Sequence, residues 1–549
     1  MSSPSRGHAA LAGITAAAVA VGAAEPVAVL TGPRSAPLIA VGGLVVDLVP
    51  EPLKQFAIAL FGTYDKVALL VGTALLLAAC AALLGVLAAR RPAIGLAGIA
   101  AFAALGVAAA LTRAGADGFD ALPSLIGAGL GALALWLLLA GPLSRDLWAW
   151  SPPVPAEPAQ SAVAAGGPQA RSVEPALVPP ADALSRPGER GEEVDPDGRR
   201  RFLTGTGVLL GAAAVAGLGG HWLGGRRDVS AARRAVVLPT PSAAPALPAG
   251  ADLSLPQLAP YVTPTGSFYR IDTALVVPQV DPAAWRLRIH GRVRNPIELS
   301  FADLLARPMV ERYVTLACVS NEVGGDLIGN ARWLGVPIKE LLDEVDPEEG
   351  ADQVVGRSVD GWTCGTPTAV LRDGRDALLA VGMNGEPLPV EHGFPVRMVV
   401  PGLYGYVSAC KWVTELELTS FADFDAYWVP RGWAAQGPIR TQSRIDTPRP
   451  RNRLTAGPVM VAGVAWAQHR GIRRVEVRVD GGPWQGVTLA PAVSVDTWVQ
   501  WSWRLDATPG EHTLQVRATD ADGVTQPPER RPVAPDGATG WHTVRVTVS

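Results

Sequence analysis

The stretch VTLACVSNEVGGDLIGNARWLGVPIKELL, residues 314–342, decides the class of fold. It opens as an apolar run suited to a buried strand and reaches a single cysteine, Cys318, at the strand's end. A loop with Gly324, Gly325 and Gly329 faces that cysteine, and a helical stretch follows at Ile338–Val345. Taken alone, a cysteine so placed is a small buried hydrophobe. From Ala251 onward β-rich runs at Thr273–Pro278, Trp285–Val293, Arg312–Ser320, Phe394–Gly402 and Trp412–Leu418 alternate with Gly/Pro turns. A second short helix is expected at Phe301–Leu305. Residues 251–432 therefore read as one α+β domain in which strands dominate.

Residues 436–549 read as all-β. Strands are expected at Val459–Trp466, Arg473–Gly482, Trp498–Leu505, His512–Gly523 and Trp541–Val548, with turns at Asp480-Gly481-Gly482 and Asp522-Gly523. That spacing predicts an immunoglobulin-like sandwich, a module that on its own is more often adhesive than catalytic. Trp484, Trp498, Trp501 and Trp503 read as its core aromatics.

A chain of 549 residues holds several structural units, which excludes a lone binding module. Only 18% of it is charged, against about 25% in soluble chains. The shortfall is concentrated at the start, where residues 1–140 carry seven Lys/Arg and six Asp/Glu. A net charge of −3 offers no electrostatic footing for nucleic acid. Cys80, Cys318, Cys364 and Cys410 show no CxxC or CxxCH spacing, which argues against zinc ribbons, cysteine-ligated iron–sulfur clusters and covalently attached haem.

Five apolar stretches of spanning length follow one another at His8–Leu30, Pro37–Phe61, Val67–Ala89, Ala93–Leu111 and Leu122–Leu139, so residues 1–140 read as a bundle in the lipid bilayer. In the second, Asp47, Glu51 and Lys54 beside Pro50 and Pro52 leave either a kinked span or a short helix with an interfacial piece. If all five cross, Arg34, Arg90, Arg91 and Arg199–Arg201 share the cytoplasmic side and the amino terminus lies outside. Residues 141–198, rich in Pro, Ala, Gly and charge, read as a disordered linker. At 199–224 a basic cluster precedes a Gly/Ala-rich apolar run. It reads as a sixth span, or more sharply as a twin-arginine export signal, because Arg199-Arg200-Arg201-Phe202-Leu203 resembles the RRxFL pattern. That route carries folded proteins, so the body would acquire its cofactor in the cytoplasm and then cross.

The segment around Cys318 resembles the sulfite oxidase family of molybdopterin oxidoreductases. The family's C-x-x-N loop reads here as Cys318-Val319-Ser320-Asn321, and its IGNA-x-W-x-GV run as Ile328 to Val336. A second block, Met383–Trp412, is similar to the family's MNGxPLPxxHGxPxR segment and the lysine–tryptophan pair after it. The resemblance covers about residues 257–549. It implies a molybdenum–molybdopterin cofactor, with Cys318 as the thiolate on the metal and the pterin supplying two further sulfurs. It also implies two-electron oxygen-atom transfer with a small-molecule substrate. Cofactor contacts fall by resemblance on Tyr269, Arg270 and Asp272, on Asn321, Asp360, His392 and Arg397, and on the Ser408–Lys411 stretch, which bring donors to an anionic tail. Cys364 and Cys410 are then buried thiols or a disulfide outside the membrane. The sandwich resembles the domain that follows the molybdenum domain in sulfite oxidases and often dimerises there, which makes a homodimer an open expectation.

The chain departs from the family where substrate would sit. Ile271 stands in place of an arginine, Glu322 and Val323 replace the arginines after the C-x-x-N asparagine, and Trp433 falls opposite an active-site tyrosine. A dianion such as sulfite would miss its positive partners, so weak or absent sulfite oxidation is expected, nearer to sulfoxide-reducing relatives. Tyr427 remains as a proton donor. The competing class is a non-catalytic envelope protein that keeps the sandwich for adhesion.

Of the seven histidines only His8 and His221 lie near membrane segments, each at an end, which is too few for a bis-histidine haem inside the bundle. Molybdenum is thus the only redox centre expected, served by a separate electron carrier, a quinone or a cytochrome. Glu25, Asp47 and Glu51 read either as a quinone or proton site or as interfacial carboxylates at helix ends.

Overall fold

The computed structural model describes residues 5–49, 53, 60–61, 65–113, 116–143, 196–225 and 228–549, which fall into two compact units. Most of the expected linker, and residues 50–52 and 54–59 of the second apolar stretch, lie outside the described residues.

The first unit is helical, with α1 (Arg6–Thr31), α2 (Pro37–Leu48), α3 (Asp65–Arg90), α4 (Pro92–Leu111), α5 (Leu122–Leu139) and α6 (Pro196–Gly225). Five helices, all but α2, are long and apolar enough to cross a bilayer. The second apolar stretch left either a kinked span or a short helix with an interfacial piece; its described helix, α2, has 12 residues and ends at Leu48. Small residues set the packing. Gly13 of α1 lies against the Ala81 carbonyl of α3 and Gly85 of α3 against the Ala9 carbonyl of α1, so close that a Cβ on either would clash. Gly22 of α1 meets the Ala213 carbonyl of α6 in the same way. Phe202, of the twin-arginine-like segment, is fully buried within this bundle, its ring edge-on to His8 at 5.1 Å.

The second unit contains four sheets. Strands β1 (Arg286–Gly291), β2 (Ile297–Ser300), β3 (Val310–Ala317), β4 (Ile328–Pro337), β5 (Gln353–Ser358), β6 (Thr363–Pro367), β7 (Leu378–Met383), β8 (Glu386–Pro387), β9 (Arg397–Val399) and β10 (Val413–Thr419) build the α+β part. One sheet runs β2-β1-β10-β5-β6 and the other β3-β4-β7-β8 with β9 on β7. Short helices form at Phe301–Leu305 and Ile338–Val345, as expected, the second burying Ile338, Leu341, Leu342 and Val345 on one face. Two expectations fail. Thr273–Pro278 joins no sheet, since Val276 is exposed and Pro278 has no ladder donor. Gly329, read as part of the loop, belongs to β4, where the Phe268 ring occupies the space of its missing side chain.

The sandwich consists of β11 (Gln442–Thr447), β12 (Arg453–Leu454), β13 (Gly457–Trp466), β14 (Ile472–Val479), β15 (Gln485–Gly486), β16 (Thr488–Leu489), β17 (Val499–Ala507), β18 (Gly510–Asp520) and β19 (His542–Val548). Its sheets are β11-β13-β17-β16 and β12-β19-β18-β14-β15. Trp498 and Trp501 are core residues, whereas Trp484 is half-buried and flanked by the guanidinium groups of Arg478 and Arg517 at 4.6 and 4.3 Å. Trp466 and Trp498 share one apolar core with Leu341, Met398 and Val413 of the α+β part, so the two parts pack as a single body.

Candidate active site around Cys318

The pairing of β3 with β4 ends at Ala317 and Ile328, leaving residues 318–327 as a closed loop. Its base is held by three bonds: the Cys318 N–H donates to Leu327 C=O at 2.9 Å, the Asn321 N–H to Cys318 C=O at 3.1 Å, and the Leu327 N–H to Asn321 Oδ1 at 2.9 Å. Asn321 is thus spent on closing the loop. Cys318 is a free thiol, partly exposed. Burial of the sulfur pushes its pKa up, opposed by hydrogen bonds from Ser320 and by the positive charge of Lys411. Such a thiol ionises once a cation sits on it.

Beside the thiol lies a cluster of cations. Lys411 Nζ donates to Asp272 Oδ2 at 3.0 Å, and Arg270 Nε reaches the same oxygen at 2.9 Å. Arg397, placed by β9, is buried over the Trp333 ring at 5.0 Å, its Nη1 donating to His392 C=O at 3.1 Å. Among the described residues it has no carboxylate partner. His392 is buried as well, and its Nδ1 has no hydrogen-bond partner among the described residues. Burial, reinforced by neighbouring cations, pulls His392 down to about 3; burial pulls Lys411 down to about 8 and Arg397 down to about 10. The Tyr269 phenol, also near Cys318 and Arg397, is pushed up by burial. Two cations on one carboxylate, a third guanidinium without a carboxylate partner among the described residues, and an imidazole nitrogen without a hydrogen-bond partner there suit an anionic ligand. The residues present fit a phosphate-bearing group.

The family model described as "Oxidoreductase molybdopterin binding domain" matches residues 274–428, and "Bacterial Ig domain" matches 442–516. The "Uncharacterized oxidoreductase YuiH" of Bacillus subtilis (strain 168) is 34% identical over 175 residues, 32% of this chain and 84% of that protein. Human mitochondrial sulfite oxidase is 30% identical over 345 residues, 53% of this chain and 62% of that protein. The chain belongs to the sulfite oxidase family of molybdopterin oxidoreductases. It spans 62% of the human and 70% of the chicken sulfite oxidase. The crystal structure of the sulfane dehydrogenase SoxCD from Paracoccus pantotrophus is 27% identical, covering 53% of this chain and 82% of that one, with a TM-score of 0.47.

In this sulfite oxidase family member, the fold gathers Cys318, Tyr269, Arg270, Asp272, His392, Arg397 and Lys411 from four separate segments. Four other expected site residues have side chains engaged in contacts of their own. Ser408 turns its hydroxyl back onto the Tyr404 carbonyl at 3.0 Å, inside its own turn. The Asp360 carboxylate caps a turn by accepting the Trp362 N–H at 3.2 Å. Trp433 packs against Tyr406 and Trp428, with ring centroids at 5.9 and 6.2 Å. Tyr427 lies under the Arg431 guanidinium at 3.7 Å. Cys364 and Cys410 are free thiols, fully buried side by side beneath Gly356.

Tyr404 went unnoticed in sequence, although it sits inside the quoted Met383–Trp412 block. Pro401-Gly402-Leu403-Tyr404-Gly405 reads as a turn, and nothing local reveals that its ring is buried. Its phenol feels the charge of Cys318 and of the Arg440–Asp536 ion pair, and burial pushes it up to about 12. It accepts the Arg440 N–H at 3.4 Å, and its own proton is committed to no acceptor among the described residues.

Proposed function

We propose that the chain is a membrane-anchored oxidoreductase that carries a molybdenum–molybdopterin cofactor outside the cytoplasm and catalyses two-electron oxygen-atom transfer. The observation that carries this reading is the anion-deficient cluster of Arg397, Lys411 and the unpartnered His392 Nδ1 beside the Cys318 thiol. Cys318 would ligate the metal, and Arg397, Lys411 and His392 would hold the phosphate tail. When bound, the cofactor supplies a centre that exchanges two electrons and an oxygen atom. The protein's part is to fix the thiolate, to neutralise the tail and to keep Tyr404 Oη protonated as a donor toward substrate oxygen. Protein purified from a host that makes the cofactor should hold one molybdenum and one pterin per chain, with no haem Soret band. A chain without molybdenum or pterin from that host would leave the adhesive envelope protein as the better reading, and a stoichiometric Soret band would refute a molybdenum-only centre.

The substrate is read as uncharged. Ile271, Glu322 and Trp433 supply no cation, and Arg440, the guanidinium beside Tyr404, is already paired with Asp536. Sulfite as a dianion would have to break that pair, so turnover of a sulfoxide panel should exceed that of sulfite by about tenfold or more. Efficient steady-state oxidation of sulfite would contradict the assignment. A separate quinone or cytochrome is proposed as electron carrier.

For the anchor, five crossings by α1, α3, α4, α5 and α6 put Arg6, Arg90, Arg91 and Arg199–Arg201 on one side, which the positive-inside rule makes cytoplasmic. The second unit is then outside, and the amino terminus inside rather than outside. Read as a twin-arginine signal, α6 needs the guanidinium pair and not merely positive charge. Arg199-Arg200→Lys-Lys should therefore strand the second unit in the cytoplasm, where added protease on spheroplasts cannot reach it. Unchanged cleavage would reduce α6 to an ordinary span.

A further inference from the structure

We propose that Arg444 and His542 of the sandwich are positioning residues for Cys318, clamping from outside the loop that presents its thiol. The inference rests on reading Cys318 as the molybdenum ligand. The three bonds at the base of residues 318–327 fix the ends of the loop, and within its glycine-containing tip one turn bond runs from the Gly325 N–H to Glu322 C=O at 2.8 Å. That tip is held by the sandwich. Arg444 Nη1 donates to Gly325 C=O at 2.7 Å, across 119 residues of sequence. The His542 ring packs against Gly324, whose φ is +82° and whose missing side chain leaves the space the ring fills.

Both clamping groups are themselves immobile. Arg444 Nε donates to Asp446 Oδ1 at 2.5 Å, the two side chains being 11% and 7% exposed. Asp446 Oδ2 accepts the Ala259 N–H at 3.0 Å, which ties the pair to the α+β part. His542 Nδ1 accepts the Ile445 N–H at 3.0 Å. Arg444 and Ile445 lie on β11 and His542 begins β19, strands of the two different sandwich sheets. The clamp therefore depends on the sandwich as a whole. A ten-residue loop with two adjacent glycines would otherwise sample many arrangements, and a metal ligand needs one.

The test is hydrogen exchange on the full-length, cofactor-loaded chain, read on peptides covering 318–327. Arg444→Leu removes a charge-assisted bond and should raise exchange there by about tenfold, while peptides from β13 and β18 keep the wild-type rate. The kcat should fall with KM nearly unchanged, because the loop carries the thiol. Arg444→Lys should restore most of the protection, since an ammonium still donates to the Gly325 carbonyl. His542→Ala should loosen the same peptide and serves if Arg444→Leu does not fold. Wild-type exchange in both variants would overturn the clamp. If Cys318 were not the ligand, molybdenum retention by Cys318→Ser would reveal it without altering the exchange result.

Discussion

Cys318→Ser should abolish turnover, a loss of about a thousandfold or more, corresponding to about 4 kcal/mol of barrier. A hydroxyl is a poorer, harder ligand than a thiolate and stays protonated at neutral pH, so the metal would lose its protein anchor. Folding should survive. The cysteine is partly exposed, its backbone bonds to Leu327 and Asn321 do not involve sulfur, and serine is nearly isosteric, so the melting temperature should move by only a few degrees. Metal analysis alongside the melt separates the two effects. Wild-type turnover in the serine variant would remove Cys318 from the site.

Arg397→Met should act in opposite directions on the loaded and the cofactor-free chain. With the cofactor present, the substitution deletes a buried guanidinium facing an anionic tail, which should cost about a hundredfold or more in retention. Without it, the native chain carries a buried cation with no carboxylate partner among the described residues, held over Trp333 and bonded only to carbonyls. Replacing that cation by an apolar side chain of similar reach should leave the cofactor-free chain as stable as before or more so. A purely structural arginine would behave otherwise, since its loss would lower stability in both states. Denaturant melts of the two forms, with pterin fluorescence after dialysis, measure both signs. Equal destabilisation of both forms, with the cofactor retained, would sink the anion-site assignment.

The helical unit marks the reach of hydropathy alone. Apolar length with few charges was enough to find α1, α3, α4, α5 and α6, because a bilayer imposes a one-dimensional demand of length and hydropathy. In Pro37–Phe61 the prolines and charges left two alternatives open, and the described helix stops at Leu48. Packing was invisible: that Gly13 and Gly85 touch, or that Phe202 is buried against His8, depends on which helices become neighbours.

The sequence by itself determined the family, the α+β and sandwich classes and the cysteine to watch, since each rests on contiguous motifs or on strand-length periodicity. It also located His392, Arg397 and Lys411, because one uninterrupted block carries all three. Only the tertiary structure decided which contacts these residues make. Asp272 meets Lys411 across 139 residues, the buried Tyr404 phenol feels the charge of Cys318, and Ser408, Asp360, Tyr427 and Trp433 are engaged in other contacts. The contacts of Arg444 and His542 with the tip of the Cys318 loop come from the sandwich, more than a hundred residues away in sequence. Local pattern records backbone preference and burial along a strand or helix, whereas these pairings follow from which distant surfaces share a core, as Trp466 and Trp498 do with Met398.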